Sequence, residues 1–283
     1  MSDFVSYNGK VYPVNQVPIT FNNRAFKYGD AIFETIRCSG HYPLHFQLHY
    51  KRLIKAMMNL KMDISSLPRQ DELEQLIVKL LQKEKSFGAS RVRLQVFRDG
   101  EGLYTPNKNT VNVLVESSKL VDNSYVLNEK GLLVGTYPEM KKQYSPISFF
   151  KNGNSLQYVL AASFKKENAW DDCLLLNDKG LIIEANSSNL FWIKDGLIFT
   201  PSVYSACVDG VMRKVLVSMI KERNIANVIE VQGASEDDLL AADEVFISNA
   251  IQGIQWVVGF KDKRYFCQLT KTIHQALNEY TYK

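Results

Sequence analysis

The chain has 283 residues, 46% hydrophobic and 23% charged, enough for two modest domains or one large one with a sizeable core. A net charge of +4 without a long Lys/Arg run excludes a nucleic-acid footprint and leaves small anionic molecules as suitable partners. No apolar run is long enough to span a membrane, no basic-apolar leader opens the chain, and Cys38, Cys173, Cys207 and Cys267 form no C-x-x-C pair, so the expectation is a cytoplasmic protein with reduced thiols. His45 and His49 are four apart, but no third ligand clusters nearby and no metal site is expected.

In chain order, residues 4–12 read as a hairpin turning at Asn8-Gly9. Residues 31–37 alternate and predict a strand. Residues 46–60 place Phe46, Leu53, Met57 and Leu60 at helical spacing, and residues 71–87 do the same with Leu73, Leu76, Ile77, Leu80 and Leu81. Residues 91–97 predict a strand with Val92, Leu94 and Val96 inward, and 111–115 predict another. Periodicity lapses over 117–124, which divides the chain into an N-terminal domain (1–118), a linker (119–124) and a C-terminal domain (125–283). The second half predicts strands at 125–127 and 132–137 and a helix over 156–168. A hairpin turning at Asn177-Asp178-Lys179-Gly180 and a second at Lys194-Asp195-Gly196 follow. Helices at 211–223, 236–241 and 268–280 and strands at 228–231 and 244–248 complete the reading.

Three places in this frame can carry chemistry. Glu184 ends the apolar run Leu181-Ile182-Ile183, where a carboxylate is costly unless something positive meets it: an arginine, a turn, or a protonated ring nitrogen. Lys151 follows Phe149 and Phe150 at a strand end. A neutral amine there could bond covalently to an aldehyde and carry a proton, although a surface lysine would read the same way. Gly210-Val211-Met212-Arg213 opens a helix, where backbone N–H groups and the dipole favour a dianion, although Asp209 or Gly210 could simply cap it.

Together these phrases resemble the class IV aminotransferases, the fold-type IV pyridoxal-phosphate enzymes. The shared residues are Tyr28-Gly29-Asp30 with Phe33-Glu34-Thr35 and Arg37, His49 with Arg52-Leu53, Lys151 with Asn154, Leu156, Leu160 and Ala161, Glu184 with Ser188-Asn189-Leu190-Phe191, and Ser248-Asn249-Ala250. The resemblance implies a mixed α/β fold with an N-terminal α/β sandwich domain, a C-terminal pseudo-barrel domain and a cofactor cleft between them. It also implies a homodimer whose partner lends a loop, for which residues 100–106 are the candidate. It implies pyridoxal 5'-phosphate on Lys151, the ring nitrogen on Glu184, and the phosphate held by Arg52, the amides of Val211 and Met212, and Asn249-Ala250.

Within the family, Thr35, Leu156 and Asn249-Ala250 lean toward aminodeoxychorismate lyase, which makes 4-aminobenzoate and pyruvate for folate, with Thr35 implied to assist proton transfer. Branched-chain transaminases usually have Gly at the first of these positions and Tyr at the second. One feature dissents: only Arg98 stands where two arginines are common, and Leu103 takes the place of the other. Arg98, or Arg37 and Arg93, would then have to bind the substrate carboxylates. A branched-chain or D-amino-acid aminotransferase using 2-oxoglutarate is the alternative.

Overall fold

The structure, a computed structural model, describes residues 3–282. It divides into two units. The first holds the residues up to Ser124 together with Phe150–Asn154; the second holds Tyr125–Phe149 and the chain from Ser155 onward.

The first unit is built from β1 (Phe4–Tyr7), β2 (Lys10–Pro13), α1 (Arg24–Tyr28), β3 (Ala31–Ser39), β4 (Tyr42–Pro43), α2 (Phe46–Asn59), α3 (Gln70–Lys83), β5 (Ser90–Arg98) and β6 (Val111–Lys119). Its six strands form one antiparallel sheet in the order β2-β1-β6-β5-β3-β4. The Asn8-Gly9 hairpin forms as expected, with positive φ at both central residues. Register sorts the faces, because directly opposed residues point the same way. Ile32, Glu34 and Ile36 oppose Val96, Leu94 and Val92, and all six are buried. Helix α2 packs on β3, and α3 on β1 and β6, through Leu53, Met57, Leu73, Ile77 and Leu80. Phe33 and Thr35 lie on the opposite face with Gln95 and Arg93.

The second unit contains β7 (Leu132–Lys142), α4 (Leu156–Glu167), β8 (Asp172–Asn177), β9 (Ile182–Ala185), β10 (Asn189–Lys194), β11 (Leu197–Pro201), α5 (Val211–Glu222), β12 (Val228–Val231), α6 (Glu236–Leu240), β13 (Glu244–Asn249), β14 (Gly253–Phe260), β15 (Lys263–Arg264) and α7 (Leu269–Tyr282). The sheet runs β12-β11-β10-β13-β14-β7-β8-β9, and β9 pairs back onto β10, so six of its strands close into a barrel. Closure gives those strands at least two neighbours each and buries an apolar cluster that includes Leu174, Ile182, Leu190, Trp192, Ile247, Val257 and Phe260. The fold is therefore mixed α/β, with a barrel-like sheet in its second half.

Two expectations are corrected here. Residues 125–127 form no strand: the Tyr125 amide donates to Asn278 Oδ1 at 3.1 Å, and the Tyr125 carbonyl accepts from Asn278 Nδ2 at 2.9 Å, so a side chain on α7 replaces the ladder. Strand β7 does not stop at Tyr137. A register shift between Tyr137 and Lys141 carries it to Lys142, which pairs with Asn177.

Candidate active site

In the first unit, Phe150–Asn154 is strapped to the start of β3. Asn152 bridges Ile32, the Phe33 amide donates to the Lys151 carbonyl at 3.0 Å, and the Gly153 amide donates to the Ala31 carbonyl at 2.8 Å. The fit is tight. Gly29, with φ of 64°, lies against Asn154, where a Cβ would come within 2.6 Å of the side-chain oxygen. This contact gives a physical reason for the paired phrases at Gly29 and Asn154. The strap sets the Lys151 amine over the Phe33 ring, 5.5 Å from its centroid, on the face of β3 that also carries Thr35. Arg93 stacks on the same ring at 3.7 Å, with its Nε 3.2 Å from Gln95 Oε1 and 3.6 Å from Glu116.

Arg52 meets the side chain of Glu34, and the Lys151 amine is near enough for its charge to act on His49 in the same cluster. Arg52 Nε and Nη2 donate to the two oxygens of Glu34 at 2.8 and 2.5 Å, and His49 Nδ1 lies 2.6 Å from Glu34 Oε2. All three side chains are buried. Burial alone would raise the Glu34 pKa, but the Arg52 charge and the His49 hydrogen bond outweigh it and hold the carboxyl at about 2. Burial pushes the His49 imidazole down despite Glu34.

Of the three arginines expected to bind substrate, Arg98 and Arg37 are buried and held by protein acceptors within the first unit. Every nitrogen of Arg98 donates to a protein acceptor: Nε to Asp30 at 2.9 Å, Nη1 to Asn109 at 2.5 Å and the Lys61 carbonyl at 3.3 Å, and Nη2 to the Leu60 carbonyl at 2.6 Å. Arg37 is likewise buried, its Nη2 donating to the carbonyls of Asp122 and Ser124. Buried guanidinium groups need such acceptors, and sequence gives no indication of which arginine will find them.

In the second unit, Asn189 gathers the predicted residues. It opposes Glu184 across β9 and β10 and Ser248 across β10 and β13, so the three share a face. Its Nδ2 donates to the Val208 carbonyl at 2.8 Å. Gly210, the residue before α5, presses on it so closely that a Cβ there would fall 1.8 Å from the Asn189 side-chain oxygen. No side chain caps α5, whose first residues are Val211 and Met212. Asn249 completes the patch, its Nδ2 donating to Ser188 Oγ at 3.0 Å and its Oδ1 accepting the amides of Ile251 and Gln252. The Ala250 carbonyl accepts the Tyr125 hydroxyl at 3.3 Å.

Glu184 is 2% exposed. Its Oε2 accepts the Val208 amide at 2.7 Å, and its Oε1 accepts Lys142 Nζ and, at 3.1 Å, the Tyr158 hydroxyl. Lys142 and Tyr158 were not singled out from sequence. Lys142 sits in the polar run Lys141-Lys142-Gln143 beyond an irregularity that breaks strand periodicity, so no sequence signal marks it. Tyr158 lies on α4 two residues past the exposed Leu156, which starts that helix. Glu34 did have a signal: strand alternation puts it opposite Thr35, and His49 and Arg52 are one helical turn apart.

The residues of the second patch suit a phosphorylated pyridine. They offer an anionic acceptor buried beside a cation, the uncapped start of a twelve-residue helix, and, on the same face, the buried Ser248 hydroxyl without a hydrogen-bond partner. Among the described residues no metal-holding cluster occurs, and no helix is long and apolar enough to cross a membrane.

The sequence model of the Amino-transferase class IV family matches residues 31–259, and the chain belongs to that family. An aminodeoxychorismate lyase of Vibrio harveyi is 27% identical over 250 residues, covering 87% of this chain and 88% of its own. A branched-chain-amino-acid aminotransferase of Salmonella typhimurium is 26% identical over 290 residues, covering 97% and 92%. Among solved structures, the Escherichia coli branched-chain amino acid aminotransferase matches with a TM-score of 0.86 over 97% of this chain and 92% of that one, at 24% identity. The branched-chain amino acid aminotransferase from Thermobaculum terrenum, solved in its PLP-bound holo form, matches at 0.86 over 99% and 94%, at 18% identity. At these identities the structural likeness establishes the fold.

Proposed function

We propose that the chain is a pyridoxal 5'-phosphate enzyme that cleaves 4-amino-4-deoxychorismate to 4-aminobenzoate and pyruvate. The observation that carries the reading is Thr35: its side chain projects from the face of β3 over which the Lys151 amine is held. When bound, the cofactor supplies an electron sink for the substrate carbon next to the amine. Lys151 anchors the cofactor, then takes the proton from the ring carbon beside the substrate amine, with the Thr35 hydroxyl as its hydrogen-bonding assistant. Glu184 receives the ring nitrogen. The amides of Val211 and Met212 and the Asn249-Ala250 turn hold the phosphate, and Arg52 adds its charge in the orientation Glu34 imposes. With Arg37 and Arg98 built into the scaffold, Arg93 is the arginine offered to a substrate carboxylate. The lyase relative supports this reading.

A homodimer is part of the proposal. Helix α4 buries only Ala161 and turns Leu156, Val159 and Leu160 to solvent, an apolar face suited to a second copy. The second reading is transamination of a branched-chain amino acid with 2-oxoglutarate, favoured by the aminotransferase relatives. Cofactor-loaded protein is given 4-amino-4-deoxychorismate with no keto acid. Pyruvate release is the expected result. Its absence, together with turnover of a branched-chain amino acid once 2-oxoglutarate is added, would overturn the lyase reading. Borohydride should fix the cofactor to Lys151 in either case, and not to a Lys151→Ala variant.

A further inference from the structure

We infer that Lys142 is a built-in counter-cation to Glu184 that weakens the hold of the cofactor's ring nitrogen on its proton. The inference rests on the reading of Glu184 as the acceptor for that nitrogen. A carboxylate has about four lone-pair directions. Val208 N–H takes one on Oε2, and Lys142 and Tyr158 take both on Oε1, which leaves one direction on Oε2 for a ring N–H.

The other donors are fixed. Lys142 Nζ also donates to the Tyr158 hydroxyl at 2.8 Å, so β7, α4 and β9 meet in a closed triangle of hydrogen bonds. Burial alone would lower the Lys142 pKa, but the Glu184 charge dominates and raises it, so the ammonium persists across the working range. Among the described residues, the other groups near Glu184 bring no compensating charge. Burial first, and then the Glu184 charge, raise the Tyr158 hydroxyl and the Cys207 thiol, so both stay neutral. Arg213 on α5 is occupied by the Pro201 carbonyl at 3.1 Å and Glu230 at 2.8 Å.

Charge counting gives the consequence. Before any ligand arrives, Glu184 is already neutralised by Lys142. A protonated ring nitrogen is then a second cation on one carboxylate and holds its proton less firmly than it would against Glu184 alone. Lys142 is thus a positioning residue that sets how strong an electron sink Glu184 sustains.

The test uses holoenzyme loaded with pyridoxal 5'-phosphate labelled with 15N in the ring, following the nitrogen shift against pH. Lys142→Met should raise the deprotonation midpoint by at least one pH unit, Lys142→Arg should restore the wild-type value, and Glu184→Gln should lower it. If Lys142→Met fails to fold, Lys142→Gln keeps a hydrogen-bond donor without the charge and should show the same rise. An unchanged midpoint in the uncharged Lys142 variants, with Glu184→Gln still effective, overturns this inference alone. A Glu184→Gln midpoint equal to wild type overturns the Glu184 reading beneath it.

Discussion

Glu34 is a buried carboxylate that answers two bases at once, and its charge state should dominate the acid limb of stability. Its folded pKa of about 2 lies below the ordinary 4.5. The stability it contributes is therefore fully present above pH 4.5 and is lost as pH falls from there toward 2, on the order of 3 kcal/mol. His45 acts earlier. Burial, with the His49 charge second, pushes its pKa from 6.5 to about 4, so the unfolded chain takes up a proton first and stability declines as pH falls from 6.5 to 4. Urea melts between pH 8 and pH 3 should show both limbs. His45→Asn should flatten the upper one by roughly 3 kcal/mol, since Asn tolerates the left-handed backbone there, with φ of 54°. Glu34→Gln strands the buried Arg52 guanidinium and should cost about 3–5 kcal/mol at pH 7. A wild-type urea midpoint in that variant would refute the bridging role.

The elements that position the site differ in how openly the sequence announces them. Helices α2 and α3 and strand β5 were legible because burial follows their own periods: Leu53 and Met57, Leu73 and Ile77, Val92 and Leu94. The Lys194-Asp195-Gly196 turn was legible because Asp195 and Gly196 both adopt positive φ. The strap at Phe150–Asn154 was not, since its partner is β3, more than a hundred residues away, and no local pattern encodes that pairing. Nor was the closure of β9 onto β10, which rests on a single opposed pair, Glu184 and Asn189. The start of α5 shows why Gly210 suits this place. A methyl group there must displace the Asn189 side chain, and with it the Val208 loop that donates to Glu184. Gly210→Ala should therefore weaken pyridoxal 5'-phosphate binding at least tenfold by equilibrium titration, while costing about 1–3 kcal/mol of stability. An Ala variant that binds the cofactor as wild type does would mean that the helix start plays no part in holding the phosphate.

At the scale of the assembly, α4 leaves an account open. Leu156, Val159 and Leu160 are 76%, 56% and 48% exposed, and Tyr144 and Tyr204, 6.3 Å apart, add two more exposed rings to the same unit. Apolar side chains at helical spacing normally face a core, so here the core is expected to be shared with a second copy. The loop proposed for exchange has a matching construction. Arg24 Nη1 donates to the carbonyls of Glu101, Gly102 and Leu103, while Asp30 binds both Arg24 and Arg98, so the loop backbone is tied down as far as the Leu103 carbonyl. Its tip carries Leu103 and Tyr104, 77% and 90% exposed. A tethered backbone with an apolar tip is what a loop needs to complete another subunit's pocket at low entropic cost. Sedimentation of the wild type should give a dimer. Val159→Lys combined with Leu160→Glu should raise the dimer dissociation constant at least a hundredfold, leave the far-UV circular dichroism unchanged, and remove activity in step with dissociation. Tyr104→Ala separates the two ideas: it should keep the dimer and lower kcat/KM about tenfold. A monomeric wild type with full activity would reject the shared core and the lent loop together.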